Sequence, residues 1–164
     1  MNQTHLHLAI THLPIFGSFF GVLVLIIGLW AKSIQTKIAA YYIFIISALG
    51  AGIAYLTGEG AEETVEKIQG IAESTIELHE DFAVFALISL IILGVASIIG
   101  LFLTLRKSAL TKKIAFVVLF TSLISFGLVA RTGYLGGQIR HTEINNVTTT
   151  TQEQGDEKED DGDD

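Results

Sequence analysis

Four apolar runs, none with a polar face, decide what this chain can become. They are Leu13–Ala31, Ile38–Leu56, Phe82–Leu103 and Ile114–Ala130. Each is roughly 17–22 residues long, and about 20 helical residues cross a hydrocarbon core of about 30 Å. Strands are shorter than this, and a helix on a water-soluble protein would show polar residues along one side. The expectation is an all-α, four-transmembrane-helix bundle, with helices at about 13–31, 38–57, 82–103 and 114–135, forming one domain over residues 1–145. Composition agrees: half of the 164 residues are apolar, with a single proline and a positive mean hydropathy. The first run is read as a retained helix. It is too long for the core of a signal peptide, lacks a basic flank before it, and is followed by no convincing cleavage site.

The short loops set the orientation. KSIQTK carries Lys32 and Lys37, and TLRKSALTKK carries Arg106, Lys107, Lys112 and Lys113. Together they hold six of the ten basic residues and no acid. Basic residues next to membrane helices mark the cytoplasmic side. Both termini, and all seventeen acids, are therefore expected on or at the rim of the outer side.

The same topology gathers the histidines. His5, His7 and His12 precede the first helix, His79 precedes the third, and His141 follows the fourth. All five fall at the outer end. An internal duplication adds to this. His12, an apolar helix, IGLW at 27–30, a basic loop, a second apolar helix and TGEG at 57–60 form the first unit. His79, IGLF at 99–102, a basic loop and TGYLGG at 132–137 follow in the same order. Two copies that each cross twice would run parallel, related by an axis along the membrane normal. On this alignment His12 and His79 are equivalent and could serve as trans axial ligands to a haem iron. Chance likeness among hydrophobic segments is the competing explanation.

Ligand chemistry narrows the choice. Imidazole binds haem iron, zinc, copper or nickel. The chain has no cysteine, and Met1 is its single methionine, so thiolate sites, covalent c-type haem and soft Cu(I) transport are set aside. Non-covalent haem b (one, or two), a zinc or copper site with carboxylates, or a polar network without cofactor stay open. Gly17, Gly21, Gly28, Gly50 and Gly52 would let a macrocycle approach the backbone, or simply let helices pack closely.

Other ionisable groups stand at the rim. Arg131 can pair with Glu59, hold a haem propionate, or extend to the headgroups. Glu80 and Asp81 flank His79 and can orient its ring or cap the third helix. Glu62, Glu63, Glu66, Glu73 and Glu77 suggest the solvated face of a surface helix over 61–80. Residues 146–164 are acidic and poor in apolar side chains, which predicts a disordered tail. Such a tail can steer a basic soluble partner or merely keep the chain soluble. Asn146-Val147-Thr148 matches a glycosylation sequon, a weak signal alone.

HLAITHLP at 7–14 and GYLGGQIRH at 133–141 are similar to the opening His-x4-His-Phe-Pro and the closing Gly-Trp-Leu-Gly-Gly-Glu, Arg-His of a bacterial membrane family, domain of unknown function 2231. The resemblance spans roughly residues 5–145. It implies a four-helix protein of the bacterial cytoplasmic (inner) membrane, with the outer face periplasmic, and a functional importance for His7, His12, Gly133, Gly136, Gly137, Arg140 and His141. Leu13, Tyr134 and Gln138 depart from the pattern, and Gln138 removes an acid from the rim.

Spacing then assigns pairs. Five residues along a helix turn two side chains some 140° apart, so His7 and His12 would not share a ligand on one helix. Pro14 suits a first helical turn, which would put His12 near the N-cap and His7 in an extended arm. The expected pairs are His12 with His79, and His7 with His141 beside Arg140.

Two functions follow as expectations. One is a b-type cytochrome-like electron carrier linking a quinone or respiratory membrane complex to a basic soluble carrier. The other is a non-redox accessory subunit or divalent-metal binder, recruiting Glu59 and Glu80 alongside histidine. A stand-alone enzyme is the lesser expectation, an oligomer is compatible with either function, and the net charge of −7 opposes nucleic-acid binding.

Overall fold

The computed structural model describes the backbone of residues 3–65 and 73–159, and side chains within residues 5–58, 60 and 73–139. Four helices fill these residues: α1 (Gln3–Trp30), α2 (Ile34–Val65), α3 (Glu73–Leu105) and α4 (Thr111–Glu159). All four carry a stretch long and apolar enough to cross a membrane. The chain is thus a multi-pass membrane protein built as a four-helix bundle.

Packing runs round a ring. α1 lies most closely on α2 and α3 on α4, so the fold is two hairpins, joined through α2 with α3 and, less extensively, α1 with α4. Its sides are reversed relative to a water-soluble bundle. Small hydroxyl residues fill the interior, with Ser18, Ser47, Ser97, Ser122 and Ser125 fully buried, while Trp30 (87 % exposed), Leu56 (80 %) and many other large apolar side chains face outward. In lipid there is no hydrophobic gain from hiding leucine, so close approach by small residues drives helix association instead. A few bulky anchors, Leu25, Tyr41, Phe44, Leu90, Leu93 and Val118, complete the core.

The hairpins turn by one device used twice. At the end of α1, Ser33 N–H donates to the Gly28 carbonyl (3.0 Å) and Lys32 N–H to that of Leu29 (3.3 Å). After α3, Ser108 donates to Leu103 (3.0 Å) and Lys107 to Thr104 (3.1 Å). This pairing of bonds closes a helix when the next residue turns left-handed. Lys32 and Lys107 do so, with φ of 54° and 52°. Both basic loops lie at the same end of the bundle, opposite the histidines.

The helices extend beyond the apolar runs, and this corrects several expectations. Once a helix is nucleated, each further residue adds a backbone bond at low cost. α1 therefore begins at Gln3, and Pro14 lies inside it rather than in its first turn. His12 is not at an N-cap, and His7 is on the helix instead of in an extended arm. α3 begins at Glu73, so Glu80 and Asp81 sit about two turns inside it and cap nothing. The separate surface helix over 61–80 is replaced by the ends of α2 and α3, with Glu66 in the segment outside the described residues. The backbone of α4 runs to Glu159.

Candidate functional site

His7 sits on α1, half-buried against the end of α2. Its Nδ1 lies 2.8 Å from the Ala54 carbonyl oxygen and 3.4 Å from Thr57 Oγ1. His79 sits on α3, half-buried against α4, with Nδ1 3.0 Å from the Thr132 carbonyl oxygen. A carbonyl only accepts, so in both neutral rings Nδ1 carries the hydrogen and donates it. That fixes the tautomer and leaves each Nε2 with a bare lone pair.

The two hairpins match at this site. Each histidine reaches across to the carbonyl of a residue four positions before a glycine that lies against its ring. Gly58 packs on His7 and Gly136 on His79: a Cβ on Gly58 would be 3.6 Å from His7 Cε1, and one on Gly136 would be 3.1 Å from His79 Cε1. The repeat's register follows. His7 and His79 are separated as Gly28 and Gly100 are, within IGLW and IGLF. Ala54 with Thr132, Gly58 with Gly136 and Ser47 with Ser125 share a second separation. The equivalent of His79 is therefore His7 rather than His12, and TGEG aligns three residues further along α4 than TGYLGG suggests.

His12 stands apart. It is exposed, its Nδ1 donates to the Leu8 carbonyl of its own helix at 2.7 Å, and its ring lies over Phe16 with centroids 5.9 Å apart. With Pro14 inside α1, His7 and His12 both lie on continuous helix and diverge around it. His7 turns to α2 and His12 to the outer surface of α1. His5 is likewise exposed.

Of the other candidates, Arg131 is exposed, with its guanidinium 5.6 Å from the centre of the Phe82 ring and 5.5 Å from that of Tyr134. It ties the outer ends of α3 and α4 by cation–π contact. Glu80 is exposed, and the Thr132 carbonyl, not a neighbouring carboxylate, orients His79. The side chains of Glu59, Arg140 and His141 lie outside the described residues, as does any pairing of His7 with His141. Among the described residues no group of three or more His, Cys, Asp or Glu comes together as a metal site.

Sequence reasoning missed both carbonyl acceptors and Gly58. Every residue has a carbonyl, so nothing marks Ala54 or Thr132 in advance. A usable signal did exist for His7: the separation of IGLW from IGLF, applied to His79, lands on it.

Comparisons of the chain with protein-family models, with curated proteins and with solved structures found no match in any of the three.

Proposed function

We propose that the protein is a membrane-embedded, b-type cytochrome-like electron carrier that holds one haem between His7 and His79. The observation that carries this reading is the matched pair of imidazoles, each anchored through Nδ1 to a backbone carbonyl and each with Nε2 bare. Among the described residues the site offers two nitrogen donors, fewer than the three or more side chains zinc takes in proteins. His7 and His79 would suffice to hold a haem, which brings its remaining iron donors with it. The bound group would supply one-electron chemistry at a potential tuned by these histidines and their surroundings.

The chain's own residues have definable parts in this reading. The Ala54 and Thr132 carbonyls hold the rings in orientation and make Nε2 a stronger base. Gly136 leaves the His79 ring room to seat, and Gly58 lies in ordinary contact with that of His7. Arg131, steadied by Phe82 and Tyr134, offers a counter-charge to a propionate. His7 is committed to the pair with His79, so the reading has one haem rather than two.

The basic loops favour a cytoplasmic placement of the opposite end, and with it a histidine end at the periplasmic face of a bacterial inner membrane. Electron partners consistent with that placement are a lipid-soluble quinone, a respiratory membrane complex, and a basic soluble carrier drawn to the acidic C-terminal residues.

The test is haem content. Full-length protein purified in mild detergent from haem-replete cells should carry about one non-covalent haem per chain, extractable by acid acetone. A preparation that neither retains haem nor takes it up on titration would overturn the reading.

A further inference from the structure

One apolar groove is not used by the paired histidines. It runs along the lipid-facing side of α1 beside α2, lined by Ile10, His12, Phe16, Gly17, Phe20 and Ile43 among others, and is an open depression with room for about 560 Å³. Small-molecule sites span about 300–1,000 Å³ and are mostly apolar, with a few fixed polar groups. Here the polar group is the imidazole of His12.

Its chemistry is defined by the bond it already makes. Nδ1 donates to the Leu8 carbonyl at 2.7 Å, so in the neutral ring Nε2 is an acceptor with its lone pair free. The groove also has flat walls. His12 stacks on Phe16 at 21° between planes, and Phe16 on Phe20 at 23°, with centroids 6.2 Å apart. A planar ring can extend such a ladder in offset geometry. An acyl chain would gain nothing from the stack and brings no donor to the imidazole.

We propose that this groove binds the ring of a lipid-soluble hydroquinone, with His12 Nε2 accepting a hydrogen bond from one of its hydroxyls. This acceptor selects the reduced, hydroxyl-bearing form over the quinone, which has no donor. The hydrophobic tail continues along the apolar face into the bilayer. The binding stands on the groove alone. Its role in supplying the electron carrier rests on the haem reading above.

The experiment uses full-length protein in lipid nanodiscs with histidine rings labelled with nitrogen-15. The probes are a decyl-substituted benzohydroquinone, its dimethyl ether and the matching benzoquinone. The hydroquinone should bind about tenfold more tightly than the ether, the size of one hydrogen bond to an otherwise unpaired acceptor, and should move the His12 Nε2 resonance. His12→Phe keeps a ring in the stack and should erase the preference, whereas His79→Ala should preserve it. Equal affinity for hydroquinone and ether in the unaltered protein would overturn the proposal and leave a groove for lipid chains. A hydroquinone preference that survives His12→Phe would overturn it too. Repeating the titration on protein made without haem separates the readings: a preference that persists in colourless protein supports the groove whatever becomes of the haem.

Discussion

The two hairpins reach the same end with their bulk placed on opposite helices. In the first, Gly21 on α1 receives the ring of Phe44 on α2, so close that a Cβ on Gly21 would collide with it. The register-matched positions of the second hairpin are Leu93 and Ser122, both fully buried. Small against large has become large against small. The hydroxyls are not exchanged: Gly17 abuts Ser47, and both of their counterparts, Ser89 and Ser125, are serines. What stays constant is the histidine, the carbonyl across from it, the glycine under its ring and the left-handed lysine that turns the chain. The lesson is that interior volume can be traded between helices, while the groups that fix two imidazoles cannot.

Breaking that trade should produce the largest effect on stability. Gly21→Leu alone forces a branched side chain into Phe44 and should cost about 3 kcal/mol or more, read by unfolding in mixed micelles. Gly21→Leu with Phe44→Ser recreates the arrangement of the second hairpin and should recover at least half of the loss. No recovery would mean that the hairpins are not built on one plan. Gly52→Leu, where nothing lies within 4 Å of a built Cβ, should cost well under 1 kcal/mol beyond helix propensity.

A smaller effect sharpens the difference between the two histidine seats. A Cβ on Gly136 would press His79 at 3.1 Å, whereas one on Gly58 would make ordinary contact with His7 at 3.6 Å. Gly136→Ala should therefore weaken the His79–Thr132 bond, worth about 1 kcal/mol, and lower haem retention several-fold. Gly58→Ala should leave retention close to the unaltered level. Equal effects would show that the rings are not seated as described.

The smallest effect concerns the turns. Lys32 and Lys107 hold a conformation that costs a residue with a Cβ about 1 kcal/mol. Lys32→Gly and Lys107→Gly should each raise unfolding stability by about 0.5–1 kcal/mol. A loss of stability would mean that the lysine side chains contribute more than their backbone strain removes.

Much of the fold was readable because hydropathy over some twenty residues reports on the solvent, and lipid leaves few options. The helix ends were not readable, since polar flanks continue a helix that the apolar run has begun. Pro14 misled for a physical reason. At a helix start it costs nothing, and that is its common place in soluble proteins. Within a membrane helix it is tolerated as well, because neighbouring groups can satisfy the carbonyl it leaves free. Reading Pro14 as a boundary made His12 the first residue of interest and displaced His7 into an arm. The duplication itself was visible in IGLW and IGLF. Its register was obscured because TG recurs at Thr57-Gly58 and at Thr132-Gly133, while the glycine that seats His79 is Gly136. Arg131 was recognisable as costly, but its contacts with Phe82 and Tyr134 depend on how α3 meets α4, which local sequence does not record.

The most direct test of the central claim is the reduced-minus-oxidised visible spectrum of the full-length protein beside its His7→Ala, His79→Ala and His12→Ala variants. The account predicts sharp α and β bands that disappear in His7→Ala and in His79→Ala and persist in His12→Ala. Bands that survive in His7→Ala and vanish in His12→Ala, or a colourless parent protein from haem-replete cells, would contradict it.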